Sequence, residues 1–329
     1  MTKPLAMRDA LLNRIWERMS TDPKIFLVTS DFGSPVLDKI RDDFPERFIN
    51  VGIAEQNLIN VSAGLALEGF TVFAYSIAPF ITMRCYEQTR VSLALLSEVR
   101  SMNVNLIGVG AGFSYVMSGP THQCYEDLSL MRTMPNFRVL SPADHVSSAA
   151  LLDTCLNNLG PKYLRLDAQV LPVLYASTEA IVRDGFAVHR SGQNLCLVAS
   201  GFMVHTALEV AESFEKEGAH LGVIDIMDLS NFSRGDFLLA IEEYDVIISL
   251  EEGFKGRGGL DSMLFDFLSN HNHPAKIINV GVEGGYRFDL GTRRELHEAV
   301  GIGPDAVRAK IQTAADSLQI NLVNASKRK

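Results

Sequence analysis

Short apolar, β-rich runs alternate with helix-patterned segments along almost the whole chain, and this alternation constrains the fold more than any other feature. Candidate strands are Lys24–Thr29, Phe48–Val51, Thr71–Tyr75, Val104–Val109, Phe137–Leu140 and Tyr163–Leu166. Helical segments lie between them at about Asn57–Glu68, Ile81–Leu96, Tyr125–Met131 and His145–Asn157. Strands separated by helices are the mark of parallel α/β sheets. Runs such as Ile25-Phe26-Leu27-Val28, with no polar alternation, are expected where helices cover both sheet faces.

The pattern loosens around residues 168–190 and then resumes. Leu195–Ala199, Leu221–Ile226, Val246–Leu250 and Lys276–Val280 read as strands, with helices at Met203–Lys216, Arg234–Glu243 and Gly259–Leu268. A length of 329 residues accommodates two such units. The expected organisation is an open, mostly parallel sheet domain over 1–175, a linker over 176–190 and a second open sheet domain of four strands over 191–320. A helix end near Ser317 and a tail over 321–329 follow. No solenoid-period repeat or low-complexity tract is present.

A net charge of −9 argues against binding a phosphate backbone, and the basic run Lys327-Arg328-Lys329 reads as a solvated terminus. No apolar stretch approaches the roughly 20 residues that span a bilayer, and Met1-Thr2-Lys3-Pro4 has no signal-peptide core. Cys85, Cys124, Cys155 and Cys196 show no metal-like spacing and read as reduced thiols of a cytoplasmic protein.

Two motifs can carry chemistry. In Val51-Gly52-Ile53-Ala54-Glu55-Gln56-Asn57, Glu55 sits where a strand turns into a helix rich in small residues. It is either a first-turn charge favoured by the helix dipole or a partly buried acid with a chemical task. Ser118-Gly119-Pro120-Thr121-His122-Gln123 follows the glycine-rich Gly108-Val109-Gly110-Ala111-Gly112 at another strand end. His122 there is a surface loop residue or a catalyst. Glu55, Ser30-Asp31 and His122 all fall at C-terminal strand ends of one sheet, where open α/β folds bind ligands. No dinucleotide or Walker glycine loop, no Gly-x-Ser-x-Gly elbow and no His-Glu-x-x-His is present. His271-Asn272-His273 lacks a nearby third ligand and precedes Pro274, so it reads as a loop rather than a metal site.

Gly52-Ile53-Ala54-Glu55-Gln56 and Gly119-Pro120-Thr121-His122-Gln123, in that order and spacing, resemble transketolase in its pyrimidine-binding and C-terminal domains. Ile247-Ile248-Ser249-Leu250-Glu251-Glu252-Gly253 with Gly258-Gly259-Leu260 is similar to a strand and turn of the same thiamine-diphosphate superfamily. The resemblance covers roughly residues 5–315. It implies that Glu55 hydrogen-bonds the aminopyrimidine of thiamine diphosphate from an apolar pocket, where desolvation raises a carboxylate's proton affinity. It also implies that His122, Gln123, Ser118 and Arg8 contact the sugar, and that Asp31 lies near the cofactor ring. Phe80 and Tyr86 are the aromatic candidates against the pyrimidine. Aromatic residues at these two positions are equally read as core.

The superfamily's metal-anchoring Gly-Asp-Gly…Asn pattern is absent. Asp184-Gly185 lacks the preceding glycine and a matching later asparagine. The resemblance therefore implies the C-terminal subunit of a split transketolase. An N-terminal partner subunit would hold the diphosphate and its Mg²⁺ or other divalent ion, in an α2β2 heterotetramer. The family's phosphate-gripping His and Arg positions read Gly110 and Ala168, and an acid that contacts the donor sugar reads Ser118. This pattern predicts an unphosphorylated, nucleotide-linked or otherwise modified sugar as substrate. A decarboxylating relative, similar to deoxyxylulose-phosphate synthase or a 2-oxoacid dehydrogenase β subunit, is the nearest alternative. Gln123 after His122 favours the transketolase pattern. A non-catalytic regulatory subunit and a plain nucleotide-binding module are further alternatives.

Overall fold

The computed structural model describes residues 4–320 and Leu322. The first three residues lie outside the described part, as do Lys327-Arg328-Lys329 and the expected tail apart from Leu322.

Helix α1 (Met7–Met19) buries the stripe Met7, Leu11, Ile15 and Met19, the spacing of one helical face. A six-stranded, wholly parallel sheet follows. Its strands are β1 (Ile25–Thr29), β2 (Phe48–Asn50), β3 (Thr71–Ile77), β4 (Asn103–Val109), β5 (Arg138–Leu140) and β6 (Lys162–Leu166). The spatial order β2-β1-β3-β4-β6-β5 puts β1, β3 and β4 at the centre. The connecting helices are α2 (Pro35–Asp43), α3 (Glu55–Leu67), the short α4 (Tyr86–Gln88), α5 (Asp127–Arg132) and α6 (His145–Asn157). Ser34 caps α2, and Asp144 with Ser147 forms a capping box on α6.

Two departures from the expected layout bear on function. The single helix expected over Ile81–Leu96 is broken into π-helical turns at Phe80–Arg84 and Thr89–Leu95 on either side of α4. Wider turns of this kind shift the side-chain phase and recur at functional sites. The segment expected as linker holds α7 (Glu179–Asp184) and β7 (Phe186–Arg190). Gly185, at φ +76°, ends α7 in the left-handed conformation that glycine adopts without strain. As an edge strand carrying His189 and Arg190, β7 has no continuous apolar run to announce it.

With β7, the second sheet has five strands. The others are β8 (Asn194–Ala199), β9 (Gly222–Ile226), β10 (Tyr244–Phe254) and β11 (Lys276–Val282), in the order β11-β10-β8-β9-β7. Only β7 runs antiparallel, against β9. Helices α8 (Met203–Glu215), α9 (Arg234–Ile241), α10 (Leu260–Asn270), α11 (Arg293–Ala299) and α12 (Pro304–Ser317) complete the unit. The two sheets are joined by backbone bonds from Ser141 N to Met227 O (2.7 Å), Leu229 N to Val139 O (3.0 Å) and Phe254 N to Tyr125 O (3.2 Å). One buried apolar cluster runs from α1 and β3 through β8 and α8 to α12. Among the described residues, no helix is long and apolar enough to cross a membrane. All four cysteines are buried thiols, and burial raises each above its ordinary value.

Candidate active site

The C-terminal rim of the first sheet gathers most of the residues singled out from the sequence. Gly52, at φ +75°, turns the chain out of β2, and Glu55 begins α3. Its side chain is only 2% exposed, yet the surroundings are not purely apolar. Arg84 Nη1 donates to Glu55 Oε2 at 2.8 Å. Glu55 Oε1 accepts no hydrogen bond among the described residues. The buried acid thus has a counter-charge on one oxygen and a free acceptor on the other.

Arg84 ends the first π-helical turn and reaches further than Glu55. Its guanidinium carbon lies 4.2 Å from the ring centre of Phe80, within cation–π range. Phe80 in turn meets the His122 ring edge-on, with centroids 5.4 Å apart. Glu55, Arg84, Phe80 and His122 therefore form one continuous row, although 67 positions separate its ends in sequence (122 − 55). His122 is held by a tight turn, its N–H bonding Gly119 O at 3.0 Å, where Gly119 has φ +69°. Its Nδ1 lies 3.0 Å from Thr121 Oγ1.

Gln123 is buried and its Nε2 has no hydrogen-bond partner, while Oε1 accepts from the Tyr125 hydroxyl. An unpartnered buried amide donor is costly unless something else meets it. Asp31 is exposed and left-handed at φ +58°. It exchanges hydrogen bonds with Asn50, Asn50 Nδ2 donating to Asp31 Oδ1 at 2.9 Å and Asp31 N to Asn50 Oδ1 at 3.1 Å. Asn50 Oδ1 also accepts from Gly52 N, so this asparagine ties two strand ends to the turn that delivers Glu55. Ser118 is exposed, and Arg8 forms a two-point ion pair with Asp9. Tyr86 directs its hydroxyl to Leu130 O and Thr133 Oγ1 on the α5 side, away from the four-residue row.

A second buried centre supports the loop that carries His122. Glu252, on β10, takes Arg293 on both carboxylate oxygens (3.0 and 2.6 Å) and His297 Nε2 at 2.6 Å. It also accepts the Phe113 N–H at 3.0 Å, at the start of that loop. Burial disfavours the Glu252 charge, but Arg293 and His297 outweigh it and hold the carboxyl well below the usual carboxylate range. Arg293 also pairs with Asp167 at 2.6 Å, and Arg165 bridges Asp127 to the Glu252 carbonyl. The neighbouring Glu251 accepts from Leu260 N and Asp261 N, both at 3.0 Å, capping α10. A Cβ at Gly259 would stand 1.9 Å from Glu251 Oε2, which accounts for that glycine. The Glu-Glu-Gly and Gly-Gly-Leu motifs are thus structural supports of the site. Arg84, Asn50, Arg293 and His297 were missed in the sequence, where only the adjacent acids Glu251-Glu252 in an apolar strand hint at an ionic centre.

The donor set on this rim fits one half of a thiamine-type cofactor. A buried carboxylate with one free oxygen suits a protonated ring nitrogen, and Phe80 offers an aromatic surface beside it. Among the described residues, no group of three or more His, Cys, Asp or Glu is placed to hold a metal ion.

Comparison with known proteins agrees with this architecture. Residues 3–173 match the family model "Transketolase, pyrimidine binding domain", and residues 185–307 match "Transketolase, C-terminal domain". The chain is 30% identical over 266 residues to one subunit of an apulose-4-phosphate transketolase of Actinobacillus succinogenes, covering 80% of this chain and 84% of that protein. It is 27% identical over 305 residues to a 6-deoxy-6-sulfo-D-fructose transketolase subunit of a Clostridium species, covering 92% of each. A solved split-gene transketolase, described as an inactive β4 tetramer, superposes with a TM-score of 0.82 at 31% identity. That match covers 95% of this chain and 99% of the other.

Proposed function

The chain belongs to the transketolase family, and from that premise we propose that it is the C-terminal subunit of a split, thiamine-diphosphate-dependent enzyme that moves a two-carbon ketol unit between sugars. The observation that carries this reading is the Glu55 carboxylate, buried and bound to Arg84 by one oxygen only. Residues 1–175 form the pyrimidine-binding unit, and the C-terminal unit runs from β7 at Phe186 to residue 320. The N-terminal partner subunit supplies the diphosphate site with its Mg²⁺ or other divalent ion, in an α2β2 assembly.

When bound, thiamine diphosphate supplies the carbon nucleophile that carries the ketol unit. This chain's residues bind and orient. Glu55 Oε1 holds a proton at the pyrimidine ring nitrogen, with general acid–base assistance worth on the order of 10²–10⁴ in rate. Phe80 would pack against the ring and Asp31 would brace the wall beside it, while Tyr86, bound to Leu130 O and Thr133 Oγ1, would support the site from the α5 side. His122, the unpartnered Gln123 Nε2 and Ser118 meet the sugar oxygens. Arg8 faces the remote end of the sugar. With Gly110 and Ala168 at positions where a phosphate would need cations, the substrate is an unphosphorylated or otherwise modified sugar. The apulose-4-phosphate and 6-deoxy-6-sulfo-D-fructose relatives, each one subunit of a transketolase, support the split assembly and a modified sugar, although both sugars carry an anionic group.

Reconstitution tests the reading. Mixed with a partner chain carrying the Gly-Asp-Gly…Asn pattern, the protein is expected to bind thiamine diphosphate with Mg²⁺, which neither chain does alone. It is also expected to form a complex with two copies of each chain by multi-angle light scattering. Full cofactor binding by the partner alone would contradict the split-site assignment.

A further inference from the structure

The second sheet reverses its winding at β8, which lies between β9 on one side and β10 on the other. The C-terminal ends of β8 and β10 therefore border the crevice where open α/β sheets take ligands. There Ser200-Gly201 leads from β8 into α8. Gly201 is left-handed at φ +60°, and Phe202 is right-handed at φ −54°, ψ −34°. Successive residues of opposite hand turn their N–H groups into one concavity that suits an anion. The N–H groups of Gly201, Phe202 and Met203 donate to no acceptor among the described residues. No side chain caps α8, whose 13 residues add a partial positive charge at this end.

The first sheet brings two further donors to the same place. Ser141, directly after β5, is fully buried, and its hydroxyl has no hydrogen-bond partner. That hydroxyl lies 2.8 Å from the point a Cβ on Gly201 would occupy. Arg165 Nη1, from β6, lies 3.5 Å from the same point, and its side chain is only 2% exposed. Asp127 takes Arg165 Nε and the Glu252 carbonyl takes Nη2, each within 2.9 Å, which leaves Nη1 without an acceptor among the described residues. Ser200 Oγ is also buried and unpartnered. His205, in the first turn of α8, places Nε2 2.8 Å from Ala143 O and so fixes the helix end against the segment that carries Ser141.

Unfilled buried donors are costly, and so many around one glycine call for an acceptor. A water would have to place two protons, and the one carbonyl near the point is Pro142 O at 3.9 Å. An ion that only accepts has no such need. Asp127 already balances Arg165, and a phosphate dianion would require paired cations, so a single negative charge fits better.

We propose that this nest binds one monovalent inorganic anion, chloride in ordinary salt. The N–H groups of residues 201–203 hold it from the second sheet, and Ser141 Oγ and Arg165 Nη1 hold it from the first, so the ion ties the two sheets together. The site lies outside the ketol-transfer reading and does not depend on it.

The test uses the full chain with bromide, which replaces chloride and scatters X-rays anomalously. Crystals grown in sodium bromide are expected to show an anomalous peak between Ser141 Oγ and the amides of residues 201–203. In thermal unfolding at equal ionic strength, sodium chloride should raise the midpoint above that in sodium gluconate, with a saturating dependence. Ser141→Ala should weaken the apparent chloride affinity at least about tenfold, the loss of a hydrogen bond to a charged group. An ordered water or no density at that place, or anomalous peaks only elsewhere, would overturn the proposal. Equal midpoints in the two salts, or an unchanged chloride response in Ser141→Ala, would do the same. If Ser141→Ala does not fold, the bromide map and the salt comparison on the unaltered chain decide.

Discussion

Arg84 Nη1 lies 2.8 Å from Glu55 Oε2, joining an arginine that is 41% exposed to a carboxylate that is 2% exposed. The pairing gives this carboxyl at the start of a buried helix a counter-charge, since an isolated buried charge would be far too costly. It also leaves Glu55 Oε1 as a single, directed acceptor. Replacing Arg84 by Met is expected to destabilise the chain by roughly 1–2 kcal/mol. A fully buried pair would lose about 3–5 kcal/mol, and water screens the arginine here. Urea unfolding of Arg84→Met, Glu55→Gln and the double variant should show coupling of at least about 0.5 kcal/mol. Strict additivity would mean that the two side chains do not interact.

Glu252 makes a stronger prediction. Four donors, from Arg293, His297 and Phe113, converge on its carboxylate across the two sheets. Glu252→Leu strands Arg293 and His297 in the interior and should cost about 3–5 kcal/mol. Because the folded carboxyl titrates below its ordinary value, its contribution is complete above the unfolded pKa and fades as pH falls through the acid range. Acid unfolding of Glu252→Gln should therefore lose part of the steep acid limb seen in the unaltered chain.

Asp225 has the opposite sign. Burial, with Asp144 nearby, pushes its carboxyl up to about 8 even though the Tyr175 hydroxyl donates to it at 2.6 Å. The unfolded group ionises near 3.8. Its favourable contribution is thus complete below that value and is lost as pH rises from there towards 8. The slope is at most about 1.4 kcal/mol per pH unit for one proton. Asp225→Asn keeps the Tyr175 bond and should flatten stability between pH 5 and 8. An unchanged slope in thermal melts would show that Asp225 is ionised in the fold.

Much of the fold was legible in the alternation of elements. All six strands of the first sheet lie where apolar runs mark them, since most of their positions are buried, although β4 carries Asn103 and Asn105 and β6 carries Lys162 and Arg165. The edge strand β7 was not legible, since a half-exposed antiparallel edge ending in His189-Arg190 resembles a loop. The π-helical turns around α4 were hidden for a related reason. They change the residue phase without changing composition, and the helix expected from Ile81 left Phe80 outside it. At the site, Glu55 and His122 were found through motifs. Arg84 and Arg293 carry no local signature, as their partners lie 29 and 41 positions away.

The account turns on Glu55, and one replacement tests it most directly. In the reconstituted complex, Glu55→Gln keeps the side chain's shape but exchanges a carboxylate for an amide. The variant complex is expected to assemble and bind thiamine diphosphate, while ketol transfer falls by roughly 10²–10⁴-fold. Full turnover by an assembled Glu55→Gln complex would contradict the role assigned to this acid.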